Sequence, residues 1–452
     1  SIPSSEQAPE RAARPRERPS VARAMVMQLS VAPMVDITTR HFRYLLRLMT
    51  KRTVLWTPMF ASHRLAKLKK REVEKMLRYS PVEHPLVAQV GGDDVAEVLA
   101  AAKICQDLGY GEVNLNLGCP SRNAHSGKYG ALMMLPANQK RCVAIVKALT
   151  TELTVPISCK VRIGVDSYDS YEYFRDFVGE LHSTGGCDRF VIHARKALLD
   201  GLPPKLAALD APAPKKAANS GFVSTTMNRS EELVPLRPEF AYRLKKELPA
   251  LRFQVNGGIK TLEQVRLHHA SGADGAMVGR LARDDPFFFA GVDHRLFGDV
   301  DVSKGLGAFE ARLLVLEAYA SYCDKEQKEA SKYSPVAREM LLKPTNQLFQ
   351  GLPLAKQLYG AALRARPEGK RPEFFGDELR QVLDELRLHK SRGALNEVRL
   401  NDKSGAAHPA TKSAKVWNGQ SPAPPQSDPR HNGPQIDPRR NGPKIGRRRV
   451  AN

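Results

Sequence analysis

Residues 85–120 read PLVAQVGGDDVAEVLAAAKICQDLGYGEVNLNLGCP, and this stretch holds the unit that repeats along most of the chain. An apolar run, PLVAQVGG (85–92), stops at paired glycines. An amphipathic segment of helical period, Val95–Leu108, follows it. A second apolar run, EVNLNLGCP (112–120), then ends in Gly, Cys and Pro. Near-continuous apolar runs are what strands buried on both faces carry. Toward the N-terminus the pattern recurs in LSVAPM (29–34) and VLWTPM (54–59). Toward the C-terminus it recurs in ISCKVRIG (157–164), RFVIHAR (189–195), RFQVNGG (252–258) and GAMVGR (275–280), with Gln139–Leu149 as another amphipathic stretch. Eight strand–helix alternations over about 250 residues predict an α/β chain closed into a (β/α)8 TIM barrel. A doubly wound sheet is the competing architecture, and the count of eight favours closure.

The alternation is interrupted once and then ends. Pro203–Pro238 is long and rich in Pro, Ala and Ser, and reads as a loop with an insertion at about 206–227 on the face where barrel active sites lie. Beyond Asp299 the strand pattern stops. Ala308–Tyr322, Pro335–Phe349 and Glu373–Leu388 have helical period, which predicts an all-helical C-terminal domain over 299–398 after a barrel at 29–298. Residues 1–28, rich in Arg, Pro, Ala and Ser, read as a disordered or targeting extension. Residues 399–452 carry a near-repeat, DPRHNGPQI (428–436) then DPRRNGPKI (437–445), and read as a disordered basic tail.

The 452-residue chain carries a formal net charge of +22 and is 42% hydrophobic, enough apolar material for a sizeable core. Once the +2 of residues 1–30 and the +7 of residues 401–452 are set aside, +13 remains on the middle of the chain. A basic body of that size points to a polyanionic partner, nucleic acid ahead of a membrane surface. No run approaches the ~18 consecutive apolar residues of a membrane-spanning helix. The six cysteines, at 105, 119, 142, 159, 187 and 323, have neither zinc-knuckle spacing nor the density of a disulfide framework. No metal centre is expected, and a reducing compartment is.

In a barrel of this kind reactive groups sit at the C-terminal ends of the strands. Those ends carry Pro33 and Met34, Gln89, Asn114, Asn116 and Cys119, Lys160 and Arg162, His193 and Arg195, Asn256 to Gly258, and Gly279 with Arg280. The NGG and GR ends of strands seven and eight suit a phosphate cradle, since paired glycines let backbone N–H groups approach an anion; two ordinary tight turns are the plain alternative. Lys160 among apolar neighbours needs a partner, and His193 alone would pass for a satisfied core histidine. Together with Gln89 and the cradle they suit a flavin mononucleotide across the barrel mouth. Cys119, between Gly118 and Pro120 at a strand tip, is placed to donate a proton or to act as a nucleophile. Buried structural thiols are expected instead at Cys105, Cys142 and Cys159.

These residues resemble the tRNA-dihydrouridine synthase family, and within it the dihydrouridine synthase A branch. The likeness runs through VAPMVDITTRHFRYLLRL (31–48), PLVAQVGG (85–92), EVNLNLGCPS (112–121), KVRIGVDSYDSYE (160–172), VIHARKALLDGLPPK (191–205), VNGGIKTLEQV (255–265) and GAMVGR (275–280). The resemblance implies an FMN enzyme that uses NADPH to reduce uridine to 5,6-dihydrouridine in the D-loop of tRNA, at positions 20 and 20a. It implies Cys119 as the acid that protonates carbon 5. It implies flavin contacts from Pro33, Met34, Gln89, Lys160, His193, Asn256, Gly257, Gly258, Gly279 and Arg280, and tRNA contacts from Asn116, Arg195, Lys205 and Arg229. Three features depart from the family pattern: Pro58 stands where an acidic residue is usual, 206–227 is inserted, and LLKPTNQLFQGLPLAKQ (341–357) lacks the bacterial arginine-bearing motif.

The alternative in the same fold is an FMN barrel acting on a small pyrimidine or enone; a non-catalytic tRNA-binding protein is a further one. A basic rim and a helical RNA-holding region favour tRNA, and Cys119, Lys160 and His193 favour catalysis. No GxGxxG fingerprint is present, so nicotinamide is expected to dock transiently at the flavin. The chain is expected to act as a monomer, away from membranes, in the cytoplasm or in an organelle.

Overall fold

In a computed structural model of the chain, described over residues 27–199, 227–300, 305–330, 337–364 and 375–392, all eight apolar runs form strands. They are β1 (Gln28–Val31), β2 (Leu55–Ala61), β3 (Leu86–Gly91), β4 (Glu112–Leu117), β5 (Ile157–Arg162), β6 (Arg189–His193), β7 (Arg252–Asn256) and β8 (Gly275–Val278). All pair in parallel in the order β1-β8-β7-β6-β5-β4-β3-β2. The two ends meet through a Ser30–Val54 bridge, with Val31 N donating to Val54 O and Val54 N to Leu29 O, each at 2.9 Å. The ring therefore closes, and the open doubly wound sheet is excluded.

One strand is irregular. The β2–β3 register shifts between Trp56 and Met59, where Pro58 has no N–H to give the ladder. Thr57 Oγ1 accepts from Gln89 N at 3.0 Å across the break.

The strands alternate more strongly than their apolar runs suggest. Faces turned to the surrounding helices join one large core with Leu45, Phe174, Val146 and Leu244. The barrel interior holds a separate apolar cluster of Ala32, Val54, Trp56, Val87, Val191 and Met277. Above and beside that plug the inward positions are polar: Gln89, Asn114, Asn116, Ser158, Lys160 and Asn256. Helices start where caps satisfy free N–H groups, as Asp94 does ahead of Val95–Asp107 and Thr261 ahead of Leu262–Ala270.

Beyond the last strand the chain is helical, at Ala308–Ala330, Arg338–Leu342, Pro353–Arg364 and Phe375–Ser391. Two corrections apply here. The stretch expected to form one helix at 335–349 is a short helix followed by a 3-10 turn, Lys343–Gln347, because Pro344 cannot continue α-helical hydrogen bonding. The helix Pro353–Arg364 is not predicted by the pattern. This region seats on the barrel through the stacked rings of Tyr44 and Tyr322, 3.8 Å apart. Glu326 adds ion pairs to Arg40 at 2.5 Å and Arg78 at 3.1 Å. Residues 1–26 of the N-terminal extension, the 206–227 insertion apart from Met227, and the basic tail lie outside the described residues, while Gln28, expected in the extension, already begins β1.

Candidate active site at the barrel mouth

Parallel pairing sets the candidate residues side by side around the ring. Gln89 stands opposite Asn114, Asn116 opposite Lys160, Arg162 opposite His193, and His193 opposite Asn256. Cys119 lies just past the end of β4. It is the one cysteine that is not buried; the other five, including Cys105, Cys142 and Cys159, are buried free thiols.

The Cys119 turn is held from several sides. Asn116 Oδ1 accepts from Gly118 N and from Cys119 N, both at 3.1 Å, and Cys119 Sγ lies 3.2 Å from Ser121 Oγ. Arg162, buried, donates from Nε to Gly118 O at 2.8 Å and from Nη1 to Lys196 O at 2.8 Å, which ties the β4 and β6 loops together. Cys119 O accepts from Ala131 N at 2.9 Å. Gly130 makes that closeness possible, because its φ is +76° and a Cβ there would meet Cys119 O at 2.4 Å.

The charges at the mouth are mostly positive, with Glu231 the carboxylate among them. Lys160 Nζ donates to Asn256 Oδ1 at 3.0 Å, and burial followed by the Arg162 charge pulls its ammonium down to about 7. Burial first, then Arg162, Lys160, Arg195 and Arg229, push His193 well below its ordinary value, so its imidazole is neutral at pH 7. Loss of water along part of its side chain also lowers Arg229, and the neighbouring Arg280 and Arg283 add to that. These groups repel one another around an opening that asks for an anion. The Gly257–Gly258 turn beside them has φ of +126° and +71°, and Cβ atoms there would meet Leu236 at 2.7 and 2.5 Å. Asn256 is fixed below it, its Nδ2 donating to Met277 O at 2.8 Å. Met34 and Gly279 abut on the β1–β8 side, where a Cβ on Gly279 would lie 3.7 Å from Met34 Sδ.

Among the residues expected on the RNA path, Arg229 is exposed and Asn116 is buried under the Cys119 turn; Arg280, expected at the flavin phosphate, is also exposed. Arg195 sits deeper than its strand-tip position suggests. It is 3% exposed, and its guanidinium donates to Ser230 O at 3.1 Å and to Val234 O, and pairs with Glu231. Burial and these partners make it the anchor of the Ser230–Val234 loop. Lys205 lies outside the described residues.

The dihydrouridine synthase (Dus) family profile matches residues 30–358, which takes in the barrel strands, the mouth and most of the helical region. The chain belongs to the dihydrouridine synthase family. Its curated relatives include the tRNA-dihydrouridine(20/20a) synthase of Escherichia coli strain K12, 37% identical over 330 residues that make up 73% of this chain and 84% of the relative. The enzyme of the same name from Vibrio parahaemolyticus is 36% identical over 80% of this chain and 98% of its own. That of Synechocystis sp. is 37% identical over 74% and 88%.

For a dihydrouridine synthase the rim matters as much as the mouth. After β2 a basic knuckle places Arg64, Lys67, Lys69 and Lys70 in solvent. It adjoins the site through Tyr129, whose hydroxyl is raised by burial and by Cys119 and lowered by Arg64. Strand ends alone do not reveal this knuckle, nor Ser121, Tyr129 and Gly130. The run HRLAKLKKR (63–71) is its one sequence signal. Among the described residues no helix is long and apolar enough to cross a membrane, and no group of three or more His, Cys, Asp or Glu side chains could hold a metal.

Proposed function

We propose that this chain reduces a uridine of tRNA to 5,6-dihydrouridine, with FMN as cofactor, NADPH as electron donor and Cys119 as the acid that protonates carbon 5. The observation that carries the reading is a half-exposed thiol at a barrel mouth ringed by Lys160, Arg162, Arg229 and Arg280. The residues fit a flavin. Asn256, Gly257, Gly258 and Arg280 would hold its phosphate; Gln89, Lys160 and His193 would hold the pyrimidine edge of its ring, with Pro33, Met34 and Gly279 along the wall. When bound, the flavin supplies the hydride that carbon 6 of the uracil takes up.

The protein's own groups do the rest. Lys160, drawn down to about 7 by burial and then by Arg162, would regain its charge beside an electron-rich edge. His193, neutral, adds a hydrogen bond without adding charge. Cys119 gives its proton from a turn whose N–H groups Asn116 holds. A uridine reaches this depth only by leaving its stack. Arg229 and the basic knuckle then take phosphates, so tRNA affinity falls as salt rises. The relatives' names, with their 20/20a positions, support a D-loop target; the chain would act as a monomer, in the cytoplasm or an organelle.

The test is anaerobic reduction of the purified protein by NADPH, followed by reoxidation of its flavin absorbance. Unmodified tRNA is expected to restore the yellow colour quickly, and free uridine nucleotides are not. Reoxidation by the small pyrimidine alone would put the metabolic barrel first, and a protein that holds tRNA without flavin would overturn the catalytic reading.

A further inference from the structure

One hydrogen-bonded chain of side chains runs through the barrel from mouth to floor. Gly118 N and Cys119 N donate to Asn116 Oδ1. Asn116 Nδ2 donates to Gln89 Oε1 at 2.9 Å, and Gln89 Nε2 to Asn114 Oδ1 at 2.8 Å. Asn114 Nδ2 donates to Ser158 Oγ at 2.8 Å, and Ser158 Oγ to Glu112 Oε1 at 2.5 Å. Glu112 Oε2 takes the last donor, Arg189 Nη1, at 3.3 Å. The four uncharged side chains of the chain are buried.

An amide offers a donor at one end and an acceptor at the other, so each link alone tolerates both orientations. The two ends of this chain remove that freedom. Backbone N–H groups only donate, and a carboxylate paired with arginine only accepts. Between such ends every amide has one orientation in which no donor faces a donor. Reversing Asn116 would turn its NH2 group onto the Gly118 and Cys119 N–H groups and open the turn that presents the thiol.

We propose that Glu112, on the barrel floor, is a positioning residue for Cys119: through Ser158, Asn114 and Gln89 it fixes the Asn116 oxygen toward the Cys119 turn. This rests on the reading of Cys119 as proton donor. The carboxylate touches neither substrate nor thiol, and acts by setting the direction of every hydrogen bond above it. Glu112→Gln keeps the shape but not the direction. With its oxygen on Arg189, Gln points its NH2 at Ser158, whose hydroxyl proton must then turn up toward Asn114.

The test compares Glu112→Gln, Ser158→Ala and Ser158→Thr with the parent protein, using Cys119→Ala as reference. Three quantities are read: the single-turnover rate of uridine reduction at saturating tRNA, the Kd for tRNA, and amide hydrogen exchange at Gly118 and Cys119 against that of the outer strands. Glu112→Gln and Ser158→Ala are expected to slow reduction about tenfold, since small displacements of catalytic groups act on the chemical step. Kd should be unchanged and exchange should quicken at the two turn amides alone. Ser158→Thr, which keeps the hydroxyl, should restore the parent rate. Unchanged rate and exchange in both variants would overturn the inference, and so would faster exchange in all strands together, which marks a merely structural role. If Ser158→Ala does not fold, Glu112→Gln decides alone. A Cys119→Ala protein with full activity would instead sink the donor reading, while the exchange data would still settle whether Glu112 sets the turn.

Discussion

Replacing Lys160 by Met should make the flavin-free protein more stable while removing its hold on the cofactor. Lys160 lies part-way along β5, among strands with little water to offer, and its ammonium is drawn from 10.5 to about 7 by burial and then by Arg162. At about 1.36 kcal/mol per unit, the charged form carries a penalty of at most about 5 kcal/mol. Two effects reduce the gain from deleting it. The side chain is only half-buried, so water screens part of that penalty, and Met leaves Asn256 Oδ1 without its donor, which costs about 1–3 kcal/mol. A net stabilisation on the order of 1–2 kcal/mol remains.

The sign of the pH dependence follows from the depressed value. Between about 7 and 10.5 the unfolded chain binds more protons at this site than the folded chain does, so the Lys160 protein gains stability as pH rises through that window. Below about 7 both states are protonated and the penalty is complete; near 10.5 it has gone. The advantage of Lys160→Met should therefore be greatest near pH 6, smaller at pH 8, and absent or reversed by pH 9. Urea unfolding of both flavin-free proteins across this range measures it, and quenching of FMN fluorescence measures the lost binding. A Met variant less stable than the parent near pH 6, or a difference that does not change with pH, would show that the lysine carries no such strain.

Other outcomes follow from the same geometry. Cys119→Ala should lose about 10²–10⁴ in uridine reduction, the range of general acid catalysis, yet keep tRNA binding and NADPH-dependent flavin bleaching; rapid kinetics with tRNA as oxidant checks this. Gly130→Ala puts a Cβ where Cys119 O stands, 2.4 Å away, at a φ of +76°. It should lower stability by about 1–2 kcal/mol from backbone strain alone, read as a shift in the urea midpoint, and should slow turnover further by moving the Cys119 turn. Neutralising Arg64, Lys67 and Lys69 together should weaken tRNA binding and lower the slope of log K against log salt by roughly one for each phosphate that no longer meets a cation. An unchanged slope would remove the knuckle from the RNA path.

The barrel is readable because its signal is local. Each strand advertises itself by an apolar run that ends in Gly, Pro or a polar residue, as RFQVNGG does at 252–258, and all eight runs form strands. Cys119 stands out for a similar reason, since Gly and Pro on either side allow only a loop. Arg195 shows where local pattern stops. Its place at a strand tip suggests an exposed cation, but Ser230, Glu231 and Val234, more than thirty residues away, fold over it. The helix Pro353–Arg364 is hidden because part of its buried face, at Ala355 and Tyr359, is defined by the helices it packs on.

The order of residues along the chain is enough to set the eightfold alternation, the strand ends that carry Gln89, Lys160, His193 and Asn256, and the cysteine set between Gly and Pro. These depend on patterns within a few residues. Folding in three dimensions was needed to decide the direction of the Asn116–Gln89–Asn114–Ser158–Glu112 chain, the burial of Arg195 and the approach of Arg64 to Tyr129. Hydrogen bonds and charges act through space, and barrel closure brings together groups that the chain keeps tens of residues apart.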